Sequence, residues 1–250
     1  VGHGKTSTAF KLTIHDAAYV VRIPTGREIR PEVVESHTAA AVLARGVPHL
    51  EQIVAASYTD GFTVAEMLPG KRLYRLTADE ISRIPNDHLN ELIPTLLTAY
   101  GYGIELDLNM ENFIYDRKTG FGIIDFEPAD LAIVRKDRSQ VVGYAIRRLG
   151  VQESYEPETT EDYDRVRGLY EASRGVLIRY RQQVEQRLTG EDGRAALRVI
   201  DRGLRIVRTT IGNYADPEWV AFGLRAKRLR DEHGDHAPGS RANTSSDAGA

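Results

Sequence analysis

An aspartate, an asparagine five positions later and a second aspartate beyond an apolar run form the chemically richest stretch of the chain. They lie in Asp107-Leu108-Asn109-Met110-Glu111-Asn112 and in Gly122-Ile123-Ile124-Asp125-Phe126-Glu127. Three such side chains can assemble a metal-dependent phosphoryl-transfer centre. A carboxylate at Asp107 is placed to accept a hydroxyl proton, while Asn112 and Asp125 offer the hard oxygen ligands that Mg2+ prefers. Phe113–Tyr115 and Gly122–Ile124 read as two short strands joined by the turn Asp116–Gly120. That hairpin carries the asparagine at its entrance and the aspartate at its exit, on one rim. Asp130, just beyond, is a weaker candidate for the same site and is at least as well suited to cap a helix or form a turn.

The elements that must position these residues are readable on either side. The chain opens with Gly2-His3-Gly4-Lys5-Thr6-Ser7, in which Gly4-Lys5-Thr6 matches the end of a Walker A loop. A Walker A lysine opens a helix, however, and the residues after Ser7 have period two. Phe10, Leu12 and Ile14 alternate, His15-Asp16 is a polar turn, and Tyr19–Ile23 is rich in β-branched residues, which makes a hairpin. Pro31 starts a helix that runs through Ala39–Ala44 to Gly46, with Glu32 and Glu35 favourably placed near its N-terminus. Phe62–Leu68 is an apolar strand ending at Pro69-Gly70. Between Gly70 and Asp107 there is room for two short helices, near Thr77–Ile84 and Asp87–Ala99. Val141, Val142, Ala145 and Leu149 mark another. The last third is helical by its 3.6-residue period: Val166 to Leu188, a break at Thr189-Gly190, Leu197 to Val207, then a helix after Asp216-Pro217.

Taken in order, these motifs resemble those of the protein-kinase-like superfamily. The resemblance implies a glycine-rich loop in which Gly2, Gly4, Lys5 and Ser7 lie over nucleotide phosphates. It puts Arg22 where the family keeps a phosphate-pairing lysine; an arginine can fork onto two phosphate oxygens. It makes Glu35 the acid that pairs with Arg22, and Glu66, Met67 and Leu68 the hinge beside adenine. Asp107 becomes the catalytic base, Asn112 and Asp125 the metal ligands, and Asn112 also part of the catalytic loop. Two positions depart from the pattern. Glu105 stands where a histidine usually precedes the catalytic aspartate, and Asp125-Phe126 is followed by Glu127 instead of glycine. The glutamate is frequent in choline-kinase-like and aminoglycoside-phosphotransferase-like enzymes. The short segments before Asp107 and after Asp125 are closer to compact bacterial or atypical kinases of the RIO and lipopolysaccharide-kinase-like groups.

The resemblance therefore implies an α+β, two-lobed fold: a small antiparallel β-sheet N-lobe with one helix, and a mostly helical C-lobe. It implies ATP and Mg2+ as cofactors and transfer of the γ-phosphoryl group to a hydroxyl acceptor, with a small molecule or sugar ahead of a protein. The acceptor itself is not identified by any motif. Arg22 and Glu105 support a nucleotide-binding pseudokinase as the alternative. Transfer of AMP is a third reading, because the metal triad does not fix which phosphate is attacked.

Composition agrees with one compact domain: 250 residues, 41% hydrophobic. The expected division is 1–69 for the N-lobe, with an abbreviated first strand, 70–232 for the C-lobe, and 233–250 for a disordered tail. A strand is expected to precede the glycine-rich loop, so Val1 is not expected to be the natural start of the fold. No apolar run approaches the ~20 residues that span a bilayer, and no signal peptide opens the chain. The absence of cysteine excludes disulfides and thiolate chemistry and is consistent with a cytoplasmic setting. Asp164–Arg230 holds fifteen Lys and Arg against eight Asp and Glu, although the whole chain is at −3. That excess leaves nucleic acid open as a partner. The dispersal of the arginines along the helices favours solvated outer faces instead, and the aromatic-basic motifs of common RNA folds are missing.

Overall fold

The computed structural model describes residues 2–3, 7–24, 39, 42–57, 59–124, 126–128, 138–145 and 156–234. Gly4, Lys5, Glu35, Asp125 and Asp130, and the tail from 235 onward, lie outside the described residues.

The N-terminal lobe is a five-stranded antiparallel sheet of β1 (Gly2–His3), β2 (Ser7–Ile14), β3 (Ala17–Pro24), β4 (Ile53–Ala56) and β5 (Thr63–Glu66), in the order β1-β2-β3-β5-β4. Residues 7–14 are strand, so the Walker A reading is excluded on the ground that the sequence offered against it. The β2–β3 turn is closed by the pair Ile14↔Ala17 across His15 and Asp16. His15 adopts φ +51°, the left-handed conformation that a two-residue hairpin loop requires. Because Ala9 pairs with Arg22, alternation sends Arg22 to one face of the sheet and Phe10, Leu12 and Ile14 to the other. This lobe also holds a helix, seen at Ala39 and 42–44, which stops where Gly46 takes φ +88°.

The C-terminal lobe is mostly helical: α1 (Ala78–Ser82), α2 (Asn86–Gly101), α3 (Arg138–Tyr144), α4 (Thr160–Arg187), α5 (Gly190–Ala215) and α6 (Pro217–Gly234). Two small sheets complete it. One runs β6 (Lys71–Arg72), β8 (Phe113–Asp116), β9 (Gly120–Ile123); the other pairs β7 (Ile104–Leu106) with β10 (Phe126–Pro128).

Local signals set the helix ends. Thr77 and Glu80 form a reciprocal capping box on α1, and Thr159 caps α4 through the Asp162 N–H. Gly190, at φ +71°, makes the bend between α4 and α5. The core sits between α2, α4 and α5, where Leu89, Leu92, Ile93 and Leu96 meet Val176, Tyr180, Val184, Ile200 and Val207. Full burial of each such aliphatic side chain is worth about 1.5–3 kcal/mol. Arg179 of α4 then donates to the carbonyls of Ser82 and Ile84 at the C-terminal end of α1, satisfying acceptors that a helix end leaves open. Among the described residues no helix is long and apolar enough to cross a membrane.

Candidate active site

The chain leaves β7 at Leu106 and reaches Asp107, an exposed residue, before turning back through a short 3-10 segment, Met110–Asn112. Asn109 starts that segment by accepting a hydrogen bond from the Glu111 N–H at 3.3 Å. The turn buries Asn112, and its Nδ2 donates to Asp107 Oδ2 at 3.0 Å and to the Asp107 carbonyl at 3.3 Å. The structure thus brings Asp107 and Asn112, two of the three residues nominated from the sequence, into direct contact. Asn112 Oδ1 makes no hydrogen bond among the described residues, so the oxygen end of the amide is the one open to a ligand.

Asp125 itself is outside the described residues, but both of its neighbours are tied to this segment. The Ile124 N–H donates to the Asn112 carbonyl at 2.9 Å. On the far side, Phe126 pairs with Leu106 in the β7–β10 ladder, and Glu127 pairs with Glu105. Ile124 is therefore held beside Asn112, and Phe126 beside the residue that precedes Asp107.

Arg22 has a carboxylate partner that sequence reasoning did not select. Its Nη2 donates to Glu51 Oε1 at 2.7 Å, with the two side chains 22% and 5% exposed. Glu51 follows the turn after the N-lobe helix, and its main chain is tied to the end of β9: the Glu51 N–H donates to the Ile123 carbonyl at 2.9 Å, and the Ile123 N–H to the His49 carbonyl at 2.8 Å. Leu50 and Ile123 form an isolated parallel bridge. Consecutive residues of one strand end thus serve both halves of the site, Ile123 anchoring the acid that holds Arg22 and Ile124 anchoring Asn112.

Glu66 and Met67, which the resemblance assigns to a hinge, are partly committed to the fold. The N–H groups of Glu66 and Met67 donate to the carbonyls of Gln52 and Ala18, both at 2.9 Å. The side chains of Glu66 and Met67 are exposed, whereas Leu68 is half-buried against β9. A Cβ at Gly122 would stand 2.7 Å from Leu68 Cδ1, so the missing side chain is what admits Leu68. Gly70, at φ +108°, lets the backbone pass over Tyr115, whose carbonyl oxygen would be 2.2 Å from any added Cβ. Of the glycine-rich loop, Gly2 lies in β1 and Ser7 begins β2, so 4–6 connect two paired strands.

Among the described residues no group of three or more His, Asp or Glu side chains is arranged to hold a metal. The donor set that the sequence nominates, an amide oxygen and a carboxylate, does suit a hard divalent cation. No protein-family model matches the chain, and no curated protein is similar to it. The bilobal α+β architecture is broadly consistent in shape with the protein-kinase-like superfamily, and so with nucleotide-handling enzymes in general.

Proposed function

We propose that the protein is an ATP-dependent phosphotransferase that moves the γ-phosphoryl group to a hydroxyl on a small molecule or sugar. The observation that supports this best is the Asp107–Asn112 contact at 3.0 Å, with Ile124 bonded to the same asparagine just before Asp125. The carboxylate of Asp107 and the amide of Asn112 are in contact, and Asp125 follows directly on a residue bonded to that asparagine; two carboxylates and an amide are the groups in-line phosphoryl transfer uses.

In this reading 1–69 and 70–232 are the two lobes, and the nucleotide lies between them. Arg22, oriented by Glu51, binds the inner phosphates through its planar fork. The loop containing Gly2, Gly4, Lys5 and Ser7 covers them with backbone N–H groups. Glu66, Met67 and Leu68 flank the adenine. With two hinge N–H groups already bonded, Leu68 supplies the donor. Asp107 accepts the proton of the attacking hydroxyl, and Asn112 fixes the rotamer of that carboxylate. Asn112 Oδ1 and Asp125 are the ligands for Mg2+, which offsets the charge on the phosphates when bound. Glu35, the acid that the resemblance nominates, is not needed to orient Arg22 once Glu51 does so.

Calorimetric titration of ATP with and without Mg2+ tests the reading. Binding should require Mg2+, vanish in Asp125→Ala and survive in Asp107→Ala, where turnover falls about 10²–10⁴-fold. Metal-independent binding without turnover would favour the nucleotide-binding pseudokinase, for which Arg22 and Glu105 are the sequence support. Folded protein that binds no ATP would overturn both readings.

A further inference from the structure

Helix α5 carries Arg194, Arg198, Arg202, Arg205 and Arg208, all exposed. At 3.6 residues per turn these positions fall within an arc of about 120° and along about 21 Å of helix axis. The arc lies opposite the residues that α5 buries: Gly193, Ala196, Ile200, Gly203 and Val207. In the sequence these arginines are dispersed; in the folded helix they form one row.

Several cations elsewhere in the lobe are paired. Arg165 meets Asp162, Arg167 meets Asp164, Lys227 meets Glu158 and Arg230 meets Glu156. None of the five α5 arginines forms an ion pair with another described residue. The acid inside the arc, Asp201, is taken by Arg181 of α4 at 2.7 Å. Glu191 lies a turn before the row, where the helix N-terminus favours an acid. Like charges three and four residues apart destabilise a helix on their own, so the row is a standing repulsion that a polyanion would relieve.

We propose that this face binds the phosphate backbone of a nucleic-acid strand without sequence preference. Arginine, and not lysine, fills every position, and its guanidinium pairs with phosphate oxygens in a bidentate fashion. The row is long enough to meet several successive phosphates of a single strand, whose condensed counterions are released on binding. An anionic membrane is the weaker match, because a surface-lying helix must offer apolar side chains to the lipid and α5 turns its own into the core. The proposal is independent of the phosphotransfer reading.

The test is fluorescence anisotropy of the full chain with a labelled mixed-sequence 20-nucleotide RNA, alongside phosphatidylserine vesicles. Binding is expected to weaken with salt at a log–log slope of about −3, the value for roughly four phosphate contacts. The double variant Arg198→Glu/Arg205→Glu should lose at least tenfold in affinity, and Arg198→Gln/Arg205→Gln should lower the slope by about 1.4. The neutral pair keeps the test decisive if charge reversal disturbs folding. Arg198→Lys/Arg205→Lys should keep the slope, and the control Arg225→Glu/Arg228→Glu on α6 should stay within twofold of the unaltered protein. The proposal is overturned by absence of RNA binding at 50 mM salt, by vesicle binding without RNA binding, or by equal losses in the α5 and α6 variants.

Discussion

Replacing Glu51 by alanine probes how firmly Arg22 is held. The charged atoms are 2.7 Å apart, and at an effective dielectric constant near 20 their gross attraction is about 6 kcal/mol. Desolvation of both groups offsets most of that, and hydrogen bonds to charged groups typically contribute about 1.5–3 kcal/mol net. Removing one partner of a fully buried pair costs about 3–5 kcal/mol because the other charge is stranded. The Arg22 side chain is 22% exposed, so water reaches part of it, and the expected loss for Glu51→Ala falls to about 2–3 kcal/mol. In a chain of this size that lowers the melting temperature by about 4–12 °C. Glu51 has contacts besides Arg22, so the informative quantity is the coupling in a double-mutant cycle with Arg22→Ala, read from urea denaturation. We expect about 1.5–3 kcal/mol of coupling. Additive single variants, with coupling under about 0.5 kcal/mol, would refute the view that this pair is a fixed part of the site.

Two further outcomes are set by the geometry. Gly70→Ala meets a backbone oxygen at 2.2 Å from a left-handed φ, whereas the Cβ of Gly122→Ala meets only the end of the Leu68 side chain at 2.7 Å. The first should destabilise by about 3 kcal/mol or more and the second by about 1–2 kcal/mol, so thermal melts that rank them in reverse would contradict the packing described. Glu80→Gln should cost about 1 kcal/mol at pH 7 by weakening the α1 cap. Lys71, then the Thr77 N–H, holds the Glu80 carboxyl below its usual 4.5, so its contribution is complete above that value and disappears as pH falls through the lower folded-state value. The stability difference from the unaltered protein should therefore close on acidification, and a gap that widens would be inconsistent with a depressed carboxyl.

The parts of the fold that were readable in the sequence are those with a local cause. Phe10, Leu12 and Ile14 alternate because a strand has period two, and the turn at His15-Asp16 is marked by where the alternation stops. The helix expected near Thr77–Ile84 is α1, whose start a capping box fixes locally, and Gly190 and Pro217 marked the joints of the C-terminal helices. The Asp107–Asn112 contact was readable because five residues suffice to fold one onto the other. Glu51 was not, since its role depends on Ile123, far along the chain, and no motif links them; an acid set between Leu50 and Ile53 was the one available hint of burial. The row on α5 was legible in principle. Its spacing of four, four, three and three is helical, but counting net charge discards phase, and phase is what aligned the arginines.

Ile123 and Ile124 make their connections to Glu51, His49 and Asn112 through main-chain N–H and C=O groups. A conventional alanine scan would therefore pass over the joint between the two halves of the site, because every such replacement leaves the amide intact. Proline or a backbone ester at these two positions is the perturbation that reaches it. Evolution is correspondingly free to vary both side chains within the limits of packing, so the residues that register Arg22 against Asp107 need carry no signature of that duty in their own chemistry.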